Sequence, residues 1–487
     1  MSKKKSSIKV NEAVLKKTVQ KCREMNVVIP TFAQMRNPAL APEKIKARLP
    51  KAGLWDIDPV NLFRITWKND VKSGLYGGVN YLELPSSLTG VKARVIGLVG
   101  KFFPTGAHKV GAAFGCLAPR LVTGQFDPTS QKAVWPSTGN YCRGGAFDST
   151  LLGCTAVAIL PEGMSKERFE WLKSIGAEVI ATPGTESNVK EIYDKCWDIK
   201  KNRKDCVIFN QFEEFGNPLW HYNTTGPAME EVFEAVKGPK GRLAAYVSAT
   251  GSAGTIGAGD YLRKKHPLLR MGASEALQCP TLLLNGFGEH RIEGIGDKHV
   301  PWVHNVRNTD MVVAIDDEYC MRLLRLFNEP AGQKLLKKYG VPQETIEKLP
   351  LLGISGISNM LSAIKMAKYY ELDENDVVFT IFTDSVEMYR SRLSELEAER
   401  GSYGESTAIV DMERYLHGVG IDYVKELSYY DKKSLHNLKY FTWVEQQGRT
   451  SDELRQLWSP EFWDETLDQA DELDKLITDF NKMTGLI

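Results

Sequence analysis

The chain is 487 residues long and 43% hydrophobic, with 62 basic against 61 acidic residues and a net charge of +1. That length supplies core for two to four domains, and the balanced charge leaves no footprint for nucleic acid or an anionic membrane surface. No apolar stretch follows the basic start at residues 1–7, so neither a signal peptide nor a membrane span is expected.

The eight cysteines form no CxxC pair, and His290, His299 and His304 have no carboxylates at ligand spacing. A reduced, cytoplasmic protein with buried thiols and no metal site is the expectation. In chain order, residues 1–60 read as an N-terminal extension: a helix over 10–25, then a connector punctuated by Pro30, Pro38, Pro42 and Pro50. Beyond it, β-rich runs alternate with amphipathic helical runs. A helix-like run covers 112–115, a strand 133–135, and a helix starts after Gly139. A strand over 155–160 leads to a helix over 166–175, capped by Ser165 and stopped by Gly176, with Phe169, Leu172 and Ile175 on one face. A strand at 178–181 and a helix at about 187–200 follow.

The strand at 243–248 runs into a glycine-rich loop over 251–259. Then come a strand at 311–315, a helix at 317–327, a helix at 356–370 and a strand at 377–382. Strands separated by helices predict parallel sheets covered on both faces, hence an α/β protein with two such domains and a cleft between them. The expected division is a smaller, mobile domain over 61–205 and a larger one over 206–400. A helical extension over 401–487 ends in a helix at 464–480, with Leu467, Ala470, Leu473, Leu476 and Ile477 along one face.

Four segments carry chemistry. In the turn over 103–111, Lys109 is crowded by Gly106, Ala107, Gly111 and Ala112. Most lysines are solvated surface charges; one held by small residues is positioned and partly desolvated, as a Schiff-base lysine must be. Ser137-Thr138-Gly139-Asn140 occupies a strand-to-helix turn. Hydroxyls and fresh helix N–H groups there suit a carboxylate and the asparagine amide suits a phenolate oxygen, although such a turn serves equally as an N-cap. Gly251-Ser252-Ala253-Gly254-Thr255 offers main-chain N–H groups to a phosphate, and the absence of a following GK[ST] argues against a nucleotide loop.

Ser385 closes a strand. A neutral hydroxyl beside a pyridine nitrogen leaves it unprotonated and suits β-elimination over transamination; Asp384 reaching that nitrogen instead would reverse the inference. A lysine, a Ser/Thr/Asn loop, an anion cradle and a late serine, in this order, point to pyridoxal 5'-phosphate.

Over about residues 60–395 the chain resembles the fold-type II pyridoxal-phosphate enzymes, such as cysteine synthase, cystathionine β-synthase, threonine dehydratase and the tryptophan synthase β subunit. Residues 104–109 are similar to the family's lysine motif, with Gly-Ala-His-Lys in its tryptophan synthase β form. Residues 137–140 resemble the substrate-carboxylate loop. Residues 251–255 resemble the GTGGT phosphate loop, with Ser252 and Ala253 substituted. Residues 291–296, 353–356 and 383–389 resemble the IQGIG, GISSG and PDSxxxY segments.

The resemblance implies a tryptophan synthase β-like pair of domains with the cofactor in the cleft. It implies that Lys109 holds the cofactor, that Asn140 contacts its O3', that Gly251, Ser252, Ala253, Gly254 and Thr255 bind its phosphate with help from His108, and that Ser385 meets its pyridine nitrogen. Ser137, Thr138, Gly139, Tyr141 and Gly294 would line the substrate. Tyr141 replaces the usual Thr or His, so the leaving-group side of the pocket differs. No acid precedes the loop at 133–136, so indole chemistry is not implied, and neither a CBS pair nor a haem site is found.

The activity implied is β-elimination or β-replacement on a small L-amino acid of the cysteine, O-acetylserine or serine type, through an aminoacrylate, in a homodimer or larger homo-oligomer. The alternatives are a serine/threonine dehydratase, or the catalytic β subunit of a hetero-oligomer performing other carbon-bond chemistry. A non-catalytic cofactor-binding protein is disfavoured by the presence of Lys109, Asn140, the phosphate loop and Ser385 together.

Overall fold

The computed structural model describes residues 8–487 except 138, 165, 185–188 and 296–297. Eleven strands are seen among the described residues: β1 (Tyr81–Leu84), β2 (Arg94–Val99), β3 (Lys132–Pro136), β4 (Thr155–Pro161), β5 (Glu178–Thr182), β6 (Cys206–Ile208), β7 (Arg242–Ala249), β8 (Arg270–Ala276), β9 (Met311–Ile315), β10 (Asp376–Phe382) and β11 (Val424–Glu426). They form a seven-stranded sheet, β1-β2-β10-β7-β8-β9-β11, and a four-stranded sheet, β5-β4-β3-β6. Every pairing is parallel except at the two edges of the larger sheet, where β1 and β11 run antiparallel to β2 and β9. Strands buried on both faces read as unbroken apolar runs, and every residue of β9 and β10 is buried. The α/β class with parallel sheets is the architecture observed.

The sheets do not divide at residue 205. β1 and β2 belong to the larger sheet, and β6 to the smaller one. The reason is a long-range pairing: β2 runs parallel to β10, with Arg94 beside Val377 and Val99 beside Phe382. Such a pairing leaves no trace in local periodicity.

Two helices depart from expectation. The helix Ile256–Lys265 starts inside the expected loop over 251–259, despite Gly257 and Gly259. Those glycines are packing sites: a Cβ at Gly257 would lie 2.4 Å from the Pro218 carbonyl oxygen, and one at Gly259 2.1 Å from the Met271 methyl. The single helix expected over 464–480 is two, Pro460–Leu467 and Ala470–Thr484. Leu467, Ala470, Leu473 and Ile477 are nonetheless buried, as the apolar spacing requires. Gly176 ends the helix Lys166–Ser174 at φ +85°; the capping role of Ser165 lies outside the described residues. No disulfide joins any of the eight cysteines, and seven of them are buried.

The terminal extensions pack together. Asp474 accepts from the main-chain N–H groups of Phe32 and Ala33 at 2.6 and 2.9 Å. Asn481 exchanges two hydrogen bonds with the main chain of Ile29, at 3.0 and 2.8 Å. Arg23 donates to the carbonyls of Thr484 and Met483 at 2.8 and 2.7 Å.

The helix Lys109–Val122 meets the short helix Gly216–Trp220 backbone to backbone. A Cβ on Gly115 would lie 2.3 Å from the Gly216 oxygen, and a Cβ on Gly216 2.3 Å from the Gly115 oxygen. Neither partner is a side chain that can turn away. Gly115→Ala is therefore expected to destabilise the fold by about 1–3 kcal/mol, read as a lower denaturant midpoint; an unchanged midpoint would refute the contact.

Candidate active site

Four parallel strands deliver the site from their carboxyl ends, where open α/β sheets place their ligands. Ser137 follows β3, Gln211 follows β6, Gly251 follows β7 and Thr383 follows β10. With Lys109, Gly139, Asn140, Tyr141, Ser252 and Gly294 they line one cavity of about 40 Å³ that opens to solvent.

Lys109 opens the helix Lys109–Val122. Glycines let its surroundings close in: a Cβ on Gly111 would enter the Trp220 ring at 2.1 Å, and one on Gly144 would reach Val110 Cα at 2.7 Å. Lys109 Nζ donates to Ser252 Oγ at 3.0 Å and to Gln211 Oε1 at 3.4 Å. Neither partner is an anion, so desolvation dominates and pushes its pKa from 10.5 down to about 8. Below pH 8 the amine must shed a proton before it can attack an aldehyde. The rate at which pyridoxal phosphate loads onto the apo-protein should therefore rise about tenfold per pH unit and level off above pH 8. Loading followed by absorbance checks this; a rise that continues past pH 10 would indicate an ordinary lysine.

The segment from Gly251 to Thr255 forms a cradle. Among the described residues, the main-chain N–H groups of these five residues find no acceptor, and the helix Ile256–Lys265 begins directly behind them. That is the arrangement a phosphate dianion fits. Ala253 holds φ +58°, a conformation that normally selects glycine. Gly254 faces Asn217: a Cβ there would lie 1.9 Å from Asn217 Oδ1. Asn217 Nδ2 donates to Ser252 Oγ and to the Gln211 carbonyl at 3.1 and 3.0 Å, while its buried Oδ1 has no partner among the described residues. The Thr255 hydroxyl bonds Ser248 Oγ at 2.8 Å, and its carbonyl accepts from Tyr246.

On the other loop, Ser137 Oγ accepts from Gln211 Nε2 at 3.3 Å and from Gly139 N at 3.4 Å. Thr138 lies outside the described residues. Asn140 begins the helix Asn140–Leu151, and among the described residues the main-chain N–H groups of Asn140, Tyr141 and Cys142 find no acceptor, which suits a carboxylate. Its Nδ2 donates to Asp384 Oδ2 at 2.7 Å, as does the Tyr389 hydroxyl, also at 2.7 Å. Burial pushes the Asp384 pKa up to about 6 against those two hydrogen bonds. Its second oxygen has no partner among the described residues.

The remaining expected residues lie at the margin. Tyr141 touches the cavity, but its ring packs edge-on against Trp135 at 5.4 Å and its hydroxyl donates to Cys116 Sγ at 3.5 Å. His108 is buried against Trp67 and His221, with Nε2 3.3 Å from Thr383 Oγ1. Burial drives its pKa well below the usual value, so it is neutral. Ser385 is buried at the start of the turn Val386–Tyr389, while Thr383, two residues earlier, lines the cavity. Gln211, Asn217 and the lining residues Ile192, Tyr193 and Phe212 carry no sequence motif, whereas Thr383 and Ile295 fall in the segments 383–389 and 291–296 singled out above. A polar Asn-Gln pair just past a strand was the available signal at 210–211, and it was lost because the three-residue β6 was not foreseen.

A nucleophilic lysine of lowered pKa, an unpartnered N–H cradle at a helix start and a second N–H turn in one cavity fit pyridoxal phosphate. Residues 79–335 match the family model described as pyridoxal-phosphate dependent enzyme. The chain is 29% identical over 289 residues to the cysteine synthase of Staphylococcus aureus, covering 59% of this chain and 84% of that one. It is 26% identical over 324 residues to the cystathionine beta-synthase of Saccharomyces cerevisiae, covering 65% and 60%. The fold is similar to that of the cysteine synthase of Entamoeba histolytica, with a TM-score of 0.57 at 23% identity over 70% of this chain and 93% of that one. It is also similar to that of a hydrogen sulfide-producing enzyme from Fusobacterium nucleatum, with a TM-score of 0.55 at 23% identity over 72% and 93%. With more than half its length inside that family model, this chain belongs to the pyridoxal-phosphate dependent enzymes.

Proposed function

We propose that the chain catalyses β-elimination or β-replacement on a small L-amino acid of the cysteine, O-acetylserine or serine type. The observation that carries this reading is the neutralisable amine of Lys109, 3.0 Å from Ser252 of the phosphate cradle and joined through Gln211 to Ser137 of the carboxylate loop. The names of the relatives support it.

In this reading, Gly251, Ser252, Ala253, Gly254 and Thr255 hold the phosphate through main-chain N–H groups. Ser137, Gly139 and the first-turn N–H groups from Asn140 onward hold the substrate carboxylate, and Gln211 braces Ser137. The cofactor supplies an electron sink that makes the α-carbon acidic. Lys109 Nζ takes the α-proton as an amine and, as an ammonium beside Ser252 Oγ, keeps it available for return. Asn140 and Tyr389 hold Asp384, which supports a neutral Ser385 rather than Asp384 at the pyridine nitrogen, and with it β-chemistry over transamination. A cytoplasmic homo-oligomer is the setting this reading fits; among the described residues no helix is long and apolar enough to cross a membrane.

The test adds L-cysteine, O-acetyl-L-serine, L-serine and L-threonine separately to the cofactor-loaded protein and records absorbance, pyruvate and sulfide. One of the first three should shift the cofactor spectrum. A spectrum unmoved by all four would refute the substrate assignment.

A further inference from the structure

The cavity is chemically lopsided. Its polar side chains include one connected group: Lys109, Ser252, Gln211 and Ser137 are linked by hydrogen bonds of 3.0–3.4 Å, with Asn140 and Thr383 beside them. The rest of the wall includes Ile192, Tyr193, Phe212 and Ile295. Among the described residues that line the cavity, Lys109 is the one charged side chain, and the cofactor claims its amine.

The apolar wall is braced from behind. Tyr193 meets Phe212 edge to face at 6.2 Å, stacks on His299 at 5.7 Å and meets Trp443 edge-on at 6.4 Å. Trp443 belongs to the C-terminal extension, is fully buried and donates its indole N–H to the Val300 carbonyl at 2.9 Å. His299 offers no countercharge: its Nδ1 bonds the Thr442 hydroxyl at 3.2 Å, and burial pushes its pKa down to about 4. The rings are held by a fixed scaffold, so the wall cannot readily exchange for solvent.

We infer that the β-substituent handled by this site, as leaving group and as incoming nucleophile, is uncharged and apolar. The inference rests on the β-elimination or β-replacement reading above and narrows it. A β-phosphate, a second carboxylate, or a thiol bearing its own ammonium and carboxylate would bury unpaired charge against Ile192, Phe212 and Ile295, which an apolar wall rejects. An alkyl or aryl group gains contact there instead.

For S-propyl-L-cysteine the chemistry balances with water as the only co-reactant. The Cα–H and Cβ–S bonds break, the α-proton passes to Lys109, and the Cβ–S electron pair departs with sulfur, which takes up a proton. Water then releases the carbon skeleton, giving propanethiol, pyruvate and ammonia.

Two size-matched pairs test the inference on the cofactor-loaded protein: S-propyl- against S-(2-aminoethyl)-L-cysteine, and S-isobutyl- against S-carboxymethyl-L-cysteine. Pyruvate release gives kcat/KM, and calorimetry gives Kd independently of turnover. The uncharged member of each pair should lead by about 100-fold or more in kcat/KM, with Kd in the same order. Phe212→Arg should shrink the gap in the carboxymethyl pair at least about tenfold and widen it in the aminoethyl pair. Matched pairs within threefold of each other in Kd would overturn the inference. Absence of pyruvate from all four compounds with the Kd order intact would overturn the elimination reading and leave the charge preference standing.

Discussion

Lys109→Ala should reduce turnover by at least about 10⁴-fold, the upper range for losing a positioned proton-transfer group, since the covalent anchor is lost with it. The amine has no substitute: among the described residues lining the cavity no other side chain is charged or basic, and the neighbouring His108 is buried and neutral. Lys109→Arg should fail as completely, because a guanidinium does not give up its proton in a protein. A structural readout separates chemistry from misfolding. Borohydride treatment of the loaded wild-type protein should add the phosphopyridoxyl mass to the peptide containing Lys109 and add nothing to either variant. Activity within tenfold of wild type for Lys109→Ala would disprove the role.

Gly254→Ala is expected to weaken cofactor binding by about 10–100-fold, the equivalent of 1–3 kcal/mol of overpacking. The new methyl would sit 1.9 Å from Asn217 Oδ1. Asn217 has nowhere to go, because it is fully buried and its amide is tied to Ser252 Oγ and the Gln211 carbonyl. If it moved, both partners of Lys109 would move with it. The neighbouring position supplies the contrast. Ala253 already stands at φ +58°, so Ala253→Gly suits the backbone and should keep cofactor affinity within a few-fold. Fluorescence titration of both apo-variants with pyridoxal phosphate decides the matter; equal Kd values would mean that Gly254 is not part of a tight cradle.

Strand-to-helix turns were the most legible part of the site, because their residues announce themselves in short windows. Lys109 among glycines and alanines, Ser137–Asn140 and Gly251–Thr255 each combine an apolar run with a small-residue turn, and all three converge in the structure. Gln211 and Asn217 were silent because their importance lies in partners more than 30 residues away: Gln211 reaches Lys109 and Ser137, and Asn217 reaches Ser252. The α/β class followed from alternation, but sheet membership did not. β2 and β10 are nearly 300 residues apart, and neither contains a signal for the other. The glycines at 257 and 259 read as a loop because helix propensity penalises them; the carbonyl of Pro218 and the side chain of Met271 occupy the space a side chain would need.

The pairing of Ile29 with Asn481 spans 452 residues, and this bears on how the molecule is made. Translation at 5–20 residues per second would separate the two partners by about 20–90 s. Throughout that interval Ile29, Phe32 and Ala33 lack their native hydrogen-bond acceptors, and the apolar face of the helix Glu12–Glu24 lacks the helix Ala470–Thr484 that covers it. The segment around Ile29 thus leaves the ribosome long before its partner and is among the last to be secured. A nascent chain stalled before residue 470 should be clipped by protease near its N-terminus, whereas the released protein should resist at the same bonds.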